Sequence, residues 1–365
     1  MITKIQMSPN LGAFHVEVSI NSWEIPRREL LLNPQCFITN FLVDDGESFL
    51  MPRKGSSLDM YNLPPGHRYN FNYQLYIDPQ RPWLFIRDDG SFLPLFGEDI
   101  PPIRYTEVII PEDFVVISTH ELEKVQHKKG LLRFIFRGEN GPVFSIARYY
   151  VDRIFSGEIY LLKKEPEVEL LSLVLRRAWD YMRNLCGDGA FPGPLRYVVL
   201  PQGETAFELD GSFFFPWPNK GSLRGFEDIL RVYLRLGWTV GAYEAEEFFN
   251  EGFVLFFTSK IIKNIYSPGE IEGFNDDYKQ GRDRVRGKSL KELKGRDLSL
   301  GGWMLLEELE EFLQPEIFYP VMKLFLNKHR EKPTDMKHFF ECFVGLSWKE
   351  GTKEFLQGRI FGGVN

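Results

Sequence analysis

The sequence predicts an α+β protein: an antiparallel, sandwich-like β-domain over residues 1–157, followed by a helix-rich α/β domain over 158–365. Three observations carry this. Short runs with period-two alternation, separated by Pro, Gly and Asp clusters, fill the first half. Amphipathic runs with a period near 3.6 fill the second half. The change from one period to the other falls near residue 157.

In the first half Phe14–Ile20 (FHVEVSI) alternates apolar with polar, as a half-buried strand does. Cys36–Val43, Tyr73–Ile77, Trp83–Ile86, Thr106–Ile110, Phe114–Ser118 and Leu131–Arg137 read as further strands. Turn formers such as those at 44–46 and 111–113 punctuate them. His120–Lys124 (HELEK) begins like a zinc-binding HExxH but has Lys at the last position, and reads as a solvated turn with helix-like character.

In the second half Glu169–Leu185 places Leu170, Leu173, Val174, Ala178, Tyr181, Met182 and Leu185 on one helical face. The Gly- and Pro-rich stretch 186–194 stops that helix. Leu195–Leu200 and Gly211–Phe215 read as strands. Helices are expected at Ser222–Leu236, Ala245–Tyr266, Trp303–Phe312, Glu316–His329, Asp335–Val344 and Lys349–Gln357. The segment 266–300 interleaves charges of both signs and reads as a solvated, mobile connection.

Composition narrows the function classes. A formal net charge of -7 gives no electrostatic reason to expect nucleic acid or an anionic membrane as partner. The 33 Phe residues read as core material rather than base-stacking platforms. Cys36, Cys186 and Cys342 form no CxxC pair, which suggests reduced thiols in a cytoplasmic protein. No run approaches the ~18 apolar residues that a bilayer span needs, and the N-terminus has no signal-peptide pattern. No P-loop, dinucleotide fingerprint or GxSxG elbow occurs, so no cofactor is expected.

Phe249-Asn250-Glu251-Gly252-Phe253 resembles the NEGF element of the aminopeptidase N-like gluzincin metallopeptidases. Leu195–Pro201 followed by Thr205-Ala206-Phe207-Glu208-Leu209 is similar to that family's strand and its GxMEN substrate-binding edge. Gly301–Leu306 and 332–358 resemble its later helices, and several N-terminal segments its β-domain. The resemblance implies a thermolysin-like (gluzincin) α/β domain. It implies that Glu251 matches the family's third zinc ligand and Glu208 the Glu that holds the substrate's α-amino group.

The same resemblance requires two His one helical turn apart, a Glu beside the first as base, and a Tyr near the Lys-Gly segment. Counting back from Glu251 places Asp228, Ile229 and Val232 at the first His, the base and the second His; a one-residue shift brings in Tyr233. Leu298 or Ser299 stands where the Tyr belongs. No His occurs between 128 and 328. His120 and His127 are the one alternative metal pair. Glu251, deprived of imidazoles, is expected to turn to solvent or to be held by Arg231, Arg235 or a Tyr hydroxyl.

The expectation is therefore a catalytically inactive aminopeptidase-like protein, not an enzyme and without metal or cofactor, that serves as a peptide- or protein-interaction module. Its peptide-cleft candidates are Phe207, Glu208 and Glu251. Two alternatives stand beside it: a metallopeptidase- or aminopeptidase-type hydrolase with a non-standard or relocated site, and a structural subunit of a larger assembly.

Overall fold

A computed structural model describes residues 2–8, 13–21, 29–31, 37–44, 47–48, 57–59, 68–76, 83–86, 95–96, 105–138, 143–187, 195–204, 206–209, 211–218, 223–238, 247–265, 281–329 and 334–362. The chain divides into two compact units, Met1–Tyr150 and Val151–Asn365. Helix and sheet are both present, as an α+β protein requires.

The first unit is built of strands. They are β1 (Ile2–Ser8), β2 (Ala13–Asn21), β3 (Glu29–Leu31), β4 (Phe37–Val43), β5 (Glu47–Ser48), β6 (Ser57–Asp59) and β7 (Arg68–Tyr76). β8 (Leu84–Ile86), β9 (Leu95–Phe96), β10 (Tyr105–Pro111), β11 (Val115–Ser118), β12 (Glu121–Lys128), β13 (Leu131–Arg137) and β14 (Phe144–Ala147) follow. The largest sheet runs β12-β13-β10-β1-β2-β7-β4-β5, beside the three-stranded sheets β11-β14-β8 and β6-β3-β9.

The large sheet departs from the expected all-antiparallel pattern at one place, since β1 pairs with β10 in parallel. Its interior follows from alternation. In β1 Thr3, Ile5 and Met7 are buried, in β2 Phe14, Val16 and Val18, and in β10 Thr106, Val108 and Ile110, each every second residue. His120 and the residues after it are not a helix-like turn. Glu121–Lys128 is an edge strand with nearly every side chain exposed, and the His120 ring is buried edge-on to Phe144. With both faces wet, this strand has no hydrophobic period to read, and its charges protect the edge from further pairing.

The second unit centres on a five-stranded sheet: β15 (Tyr150–Ile154), β16 (Gly157–Leu161), β17 (Leu195–Leu200), β19 (Ser212–Pro216) and β18 (Phe207–Leu209), in that order. β16, β17 and β19 are parallel, and β18 runs antiparallel to β19 at the edge. The apolar runs of β17 and β19 are buried almost end to end, as central strands covered on both faces must be.

The helices are α1 (Val168–Cys186), α2 (Leu223–Trp238), α3 (Phe253–Ile265), α4 (Arg296–Leu313), α5 (Pro315–His329), α6 (Met336–Ser347) and α7 (Thr352–Phe361). The face of α1 differs from the one expected. Leu171, Val174, Leu175, Ala178 and Met182 are buried, whereas Leu170 and Leu173 are exposed. The buried set keeps the i, i+3, i+4, i+7, i+11 spacing, and one residue of slip rotates a helix face by ~100°. The part of the polar segment that can be described is also not a solvated connection. Val285, Leu290, Leu293 and Leu300 are buried in the helical core, and Ser289 and Glu292 close a capping box.

Phe residues fill that core. Phe248, Phe249, Phe253, Phe325 and Phe339 form one cluster, with Phe325 and Phe339 at right angles and 5.3 Å apart. Such edge-to-face pairs contribute about 0.5–1.5 kcal/mol beyond the area they bury. Cys342 carries a free thiol; Cys36, the side chain of Cys186, Thr205 and residues 266–280 lie outside the described residues. Among the described residues no helix is long and apolar enough to cross a membrane.

Candidate functional site

Three elements of the second unit bring the site together. The edge strand β18 carries Phe207 and Glu208. The turn entering α3 is a π-helix, Glu247–Gly252, and carries Glu251. The helix α2 carries Arg235 near its end.

β18 is held at the sheet edge by its pairing with β19, in which Glu208 lies opposite Phe213. Phe207 stacks on Phe214 with ring centroids 4.6 Å apart and planes 3° from parallel. That stack fixes the face from which Glu208 projects, because neighbouring side chains on a strand point to opposite faces.

Glu251 is placed from beneath. Phe248 and Phe249 are fully buried in the aromatic cluster, so the π-turn is anchored one turn before the carboxylate. Gly252 then lets the turn press against α4. A Cβ there would meet Ser299 O and Gly302 Cα at 3.3 Å. A π-turn carries one residue more than an α-turn and re-aims the side chains that follow, and such turns recur at functional sites.

Arg235 joins the two carboxylates. Its Nη2 donates to Glu251 Oε1 at 2.5 Å, and its Nη1 lies 3.7 Å from Glu208 Oε2. The first contact is a charge-assisted hydrogen bond; the second is Coulombic, beyond hydrogen-bond reach. Arg231 takes no part, being paired with Glu227 at 2.6 Å on its own helix. Of the partners expected for Glu251, the structure thus selects Arg235.

The three side chains are 38%, 35% and 22% exposed for Arg235, Glu251 and Glu208. An ion pair this open to water contributes ~0.2–1 kcal/mol, so fold stability is a poor reason for the cluster. Burial pushes the Glu208 carboxyl above the usual carboxylate range, Arg235 pulls it down and Glu251 pushes it up again. Its buried Oε2 accepts no hydrogen bond among the described residues.

The remaining singled-out positions lie along α2. Ile229 and Tyr233 are fully buried in the core, and Val232 is nearly so. Burial, Tyr197 and Asp180 all push the Tyr233 phenol far up, so it stays neutral. Asp228 is exposed. By helical spacing Asp228, Val232 and Arg235 form one stripe, of which Arg235 contacts Glu208 and Glu251. His120 and His127 belong to the other unit, where the His127 imidazole pairs with Glu112.

No protein-family model matches the sequence, and no curated protein does. Its structural neighbours are M1 zinc metallopeptidases. A variant of such an enzyme from Deinococcus radiodurans, bound to a Tyr-Ser-Ala substrate, matches 100% of this chain over 94% of its own, at 13% identity and TM-score 0.52. A two-domain M1 zinc metallopeptidase bound to L-arginine matches 98% of this chain over 92% of its own, at 12% identity and TM-score 0.52. At such identity the likeness is one of fold. It corrects the expectation that the chain is not an enzyme: these neighbours are all zinc metallopeptidases, and the fold is a peptidase fold.

That fold implies a zinc ion, and the residues at its expected ligand positions do not suit one. Val232 is a hydrocarbon, Asp228 is a single exposed carboxylate, and Glu251 is engaged by a guanidinium. Zinc in such enzymes needs three protein ligands converging on one point. Among the described residues no group of three His, Cys, Asp or Glu side chains does so.

Proposed function

We propose that this protein is a peptidase-type hydrolase that acts at the amino end of peptides, through a site that differs from the zinc–histidine arrangement of its structural neighbours. The observation that carries this reading is the Glu208–Arg235–Glu251 cluster beside a sheet edge. Extended peptides bind by adding a strand to such an edge, with main-chain hydrogen bonds for affinity and flanking side chains for specificity. With both carboxylates ionised the cluster carries a net charge of −1, so an ammonium group landing on Glu208 neutralises it. The ammonium also removes the burden on a carboxyl that burial has pushed up. Phe207, on the opposite face of β18, stacks on Phe214 and holds the strand that presents Glu208. Hydrolysis of the first peptide bond adds OH to the carbonyl carbon and H to the departing amine, so water is the sole co-substrate.

The test is to incubate the purified protein with matched peptides bearing free or acetylated amino ends and to follow both binding and release of the first residue by mass spectrometry. Free-ended peptides are expected to be bound and shortened, acetylated ones not, and Glu208→Gln is expected to abolish the difference. Equal treatment of both peptide series would sink the reading.

A further inference from the structure

Arg235 stands where the site's two carboxylates meet. They come from separate elements, the edge strand β18 and the π-turn before α3; Glu251 accepts a hydrogen bond from one terminal nitrogen of the guanidinium, and Glu208 lies 3.7 Å from the other. We propose that Arg235 takes the metal's place as the fixed cation of this site: it holds Glu208 and Glu251 together and donates to the first carbonyl oxygen of a bound peptide, with no metal required. This rests on the preceding reading of the site as one for peptide amino ends.

Position supports it. Arg235 lies on the same helical stripe as Asp228 and Val232, one turn beyond Val232, so it rises from the helix face on which zinc ligands are expected. Donor geometry supports it as well. A guanidinium presents five N–H donors in one rigid plane, enough to span two carboxylates and a carbonyl oxygen. A lysine ammonium has no such fork.

Charge distinguishes this arrangement from a metal centre. A zinc ion with the same two carboxylates and two neutral imidazoles leaves a net charge of 0. Arg235 with Glu208 and Glu251 leaves −1. The replacement therefore favours a cationic ligand end more strongly, and its cation persists at every pH at which proteins fold, because the guanidinium does not deprotonate. Zinc binding, by contrast, depends on deprotonated ligands and on metal supply.

The experiment measures the affinity of the full chain for a short free-amine peptide by calorimetry, with and without a chelator and with added zinc. Wild type, Arg235→Lys, Arg235→Met and Glu208→Gln are compared. The expected result is that chelator and zinc leave wild-type affinity unchanged. Arg235→Met should lose it at least tenfold, and Arg235→Lys should keep part of it with a steeper salt dependence. Circular dichroism of each variant separates loss of the site from loss of the fold. Affinity that falls with chelator, or that survives Arg235→Met while falling in Glu208→Gln, overturns the inference and leaves the amino-end reading standing. Peptide that wild type does not bind under any condition overturns both.

Discussion

Gly252 and Gly302 approach so closely that a Cβ built on Gly302 would lie 2.6 Å from the Phe248 ring and 3.4 Å from the Gly252 Cα. This contact seats the π-turn of Glu247–Gly252 on α4 and thereby sets the height of Glu251 above the core. Phe248 cannot yield easily, because Phe249, Phe253 and Phe339 surround it. Gly302→Ala is therefore expected to cost about 1–3 kcal/mol, the range for overpacking a filled core. Equilibrium denaturation in urea checks this. A variant as stable as wild type would show that the turn and α4 can separate freely.

Much of this arrangement is legible in the sequence, and the failures have physical causes. The helices α1, α5 and α6 stand close to their expected spans because each buries one apolar stripe, which period 3.6 exposes directly, whereas α4 begins at Arg296, well before the expected Trp303, inside the stretch whose charges hide it. Glu208 and Glu251 are singled out by short motifs, and the choice between Arg231 and Arg235 is made by Glu227, a local ion-pair partner one turn before Arg231. β12 escapes detection because an edge strand with two wet faces has no apolar period. In 281–300 the buried Val285, Leu290, Leu293 and Leu300 are too widely spaced to form a periodic run, so the surrounding charges dominate the pattern. The π-turn has no signature beyond its residues, and the glycine pair beneath it takes on meaning once Phe248 is seen between the two elements.

Tyr149 makes the first unit sensitive to alkali. Its hydroxyl is buried and shares a hydrogen bond with Ser145 at 2.6 Å, while Trp83 donates to the same Ser145 hydroxyl. Burial pushes the phenol up to about 12, against an ordinary value of 10.0. Above the ordinary value the unfolded chain loses this proton while the folded chain keeps it. The stability from this group is thus full below pH ~10 and is lost as pH rises towards ~12. Tyr149→Phe is expected to flatten the fall in stability over that window. Parallel pH profiles for the two proteins would remove the assignment.

Asp335 caps α6. Its carboxylate accepts from the His338 amide at 2.8 Å and lies 2.7 Å from His338 Nδ1. Burial pushes this carboxyl up, and the His338 amide, imidazole and the Lys337 amide more than offset that, holding it below the usual range. Its contribution is therefore present above the unfolded pKa of ~3.9 and is lost as pH falls through the lower, folded value. Asp335→Ala is expected to cost ~1 kcal/mol at neutral pH, as loss of an N-cap does. Asp335→Asn, which keeps an acceptor, should recover most of it. Failure of Asn to rescue would point to the imidazole contact rather than the cap.

Glu208 carries the opposite sign. Its carboxyl is raised in the folded chain, so the ionised form is less welcome there than in water. The favourable protonated state is fully present below the unfolded pKa of ~4.3, and the advantage is lost as pH rises through the folded value. At neutral pH the folded protein therefore bears a half-buried carboxylate that Arg235 compensates only from 3.7 Å. A neutral residue of the same shape removes that burden. Glu208→Gln is expected to raise the melting temperature at pH 7 while abolishing recognition of free amino ends. Towards acid pH the gain should shrink, because wild-type Glu208 takes up its proton more readily than a carboxyl in water does. Gain of stability with loss of recognition is the mark of a residue retained for its ligand rather than for the fold. A Gln variant less stable than wild type at pH 7 would mean that the contact with Arg235 outweighs the burial, and that Glu208 holds the site together instead of being strained within it.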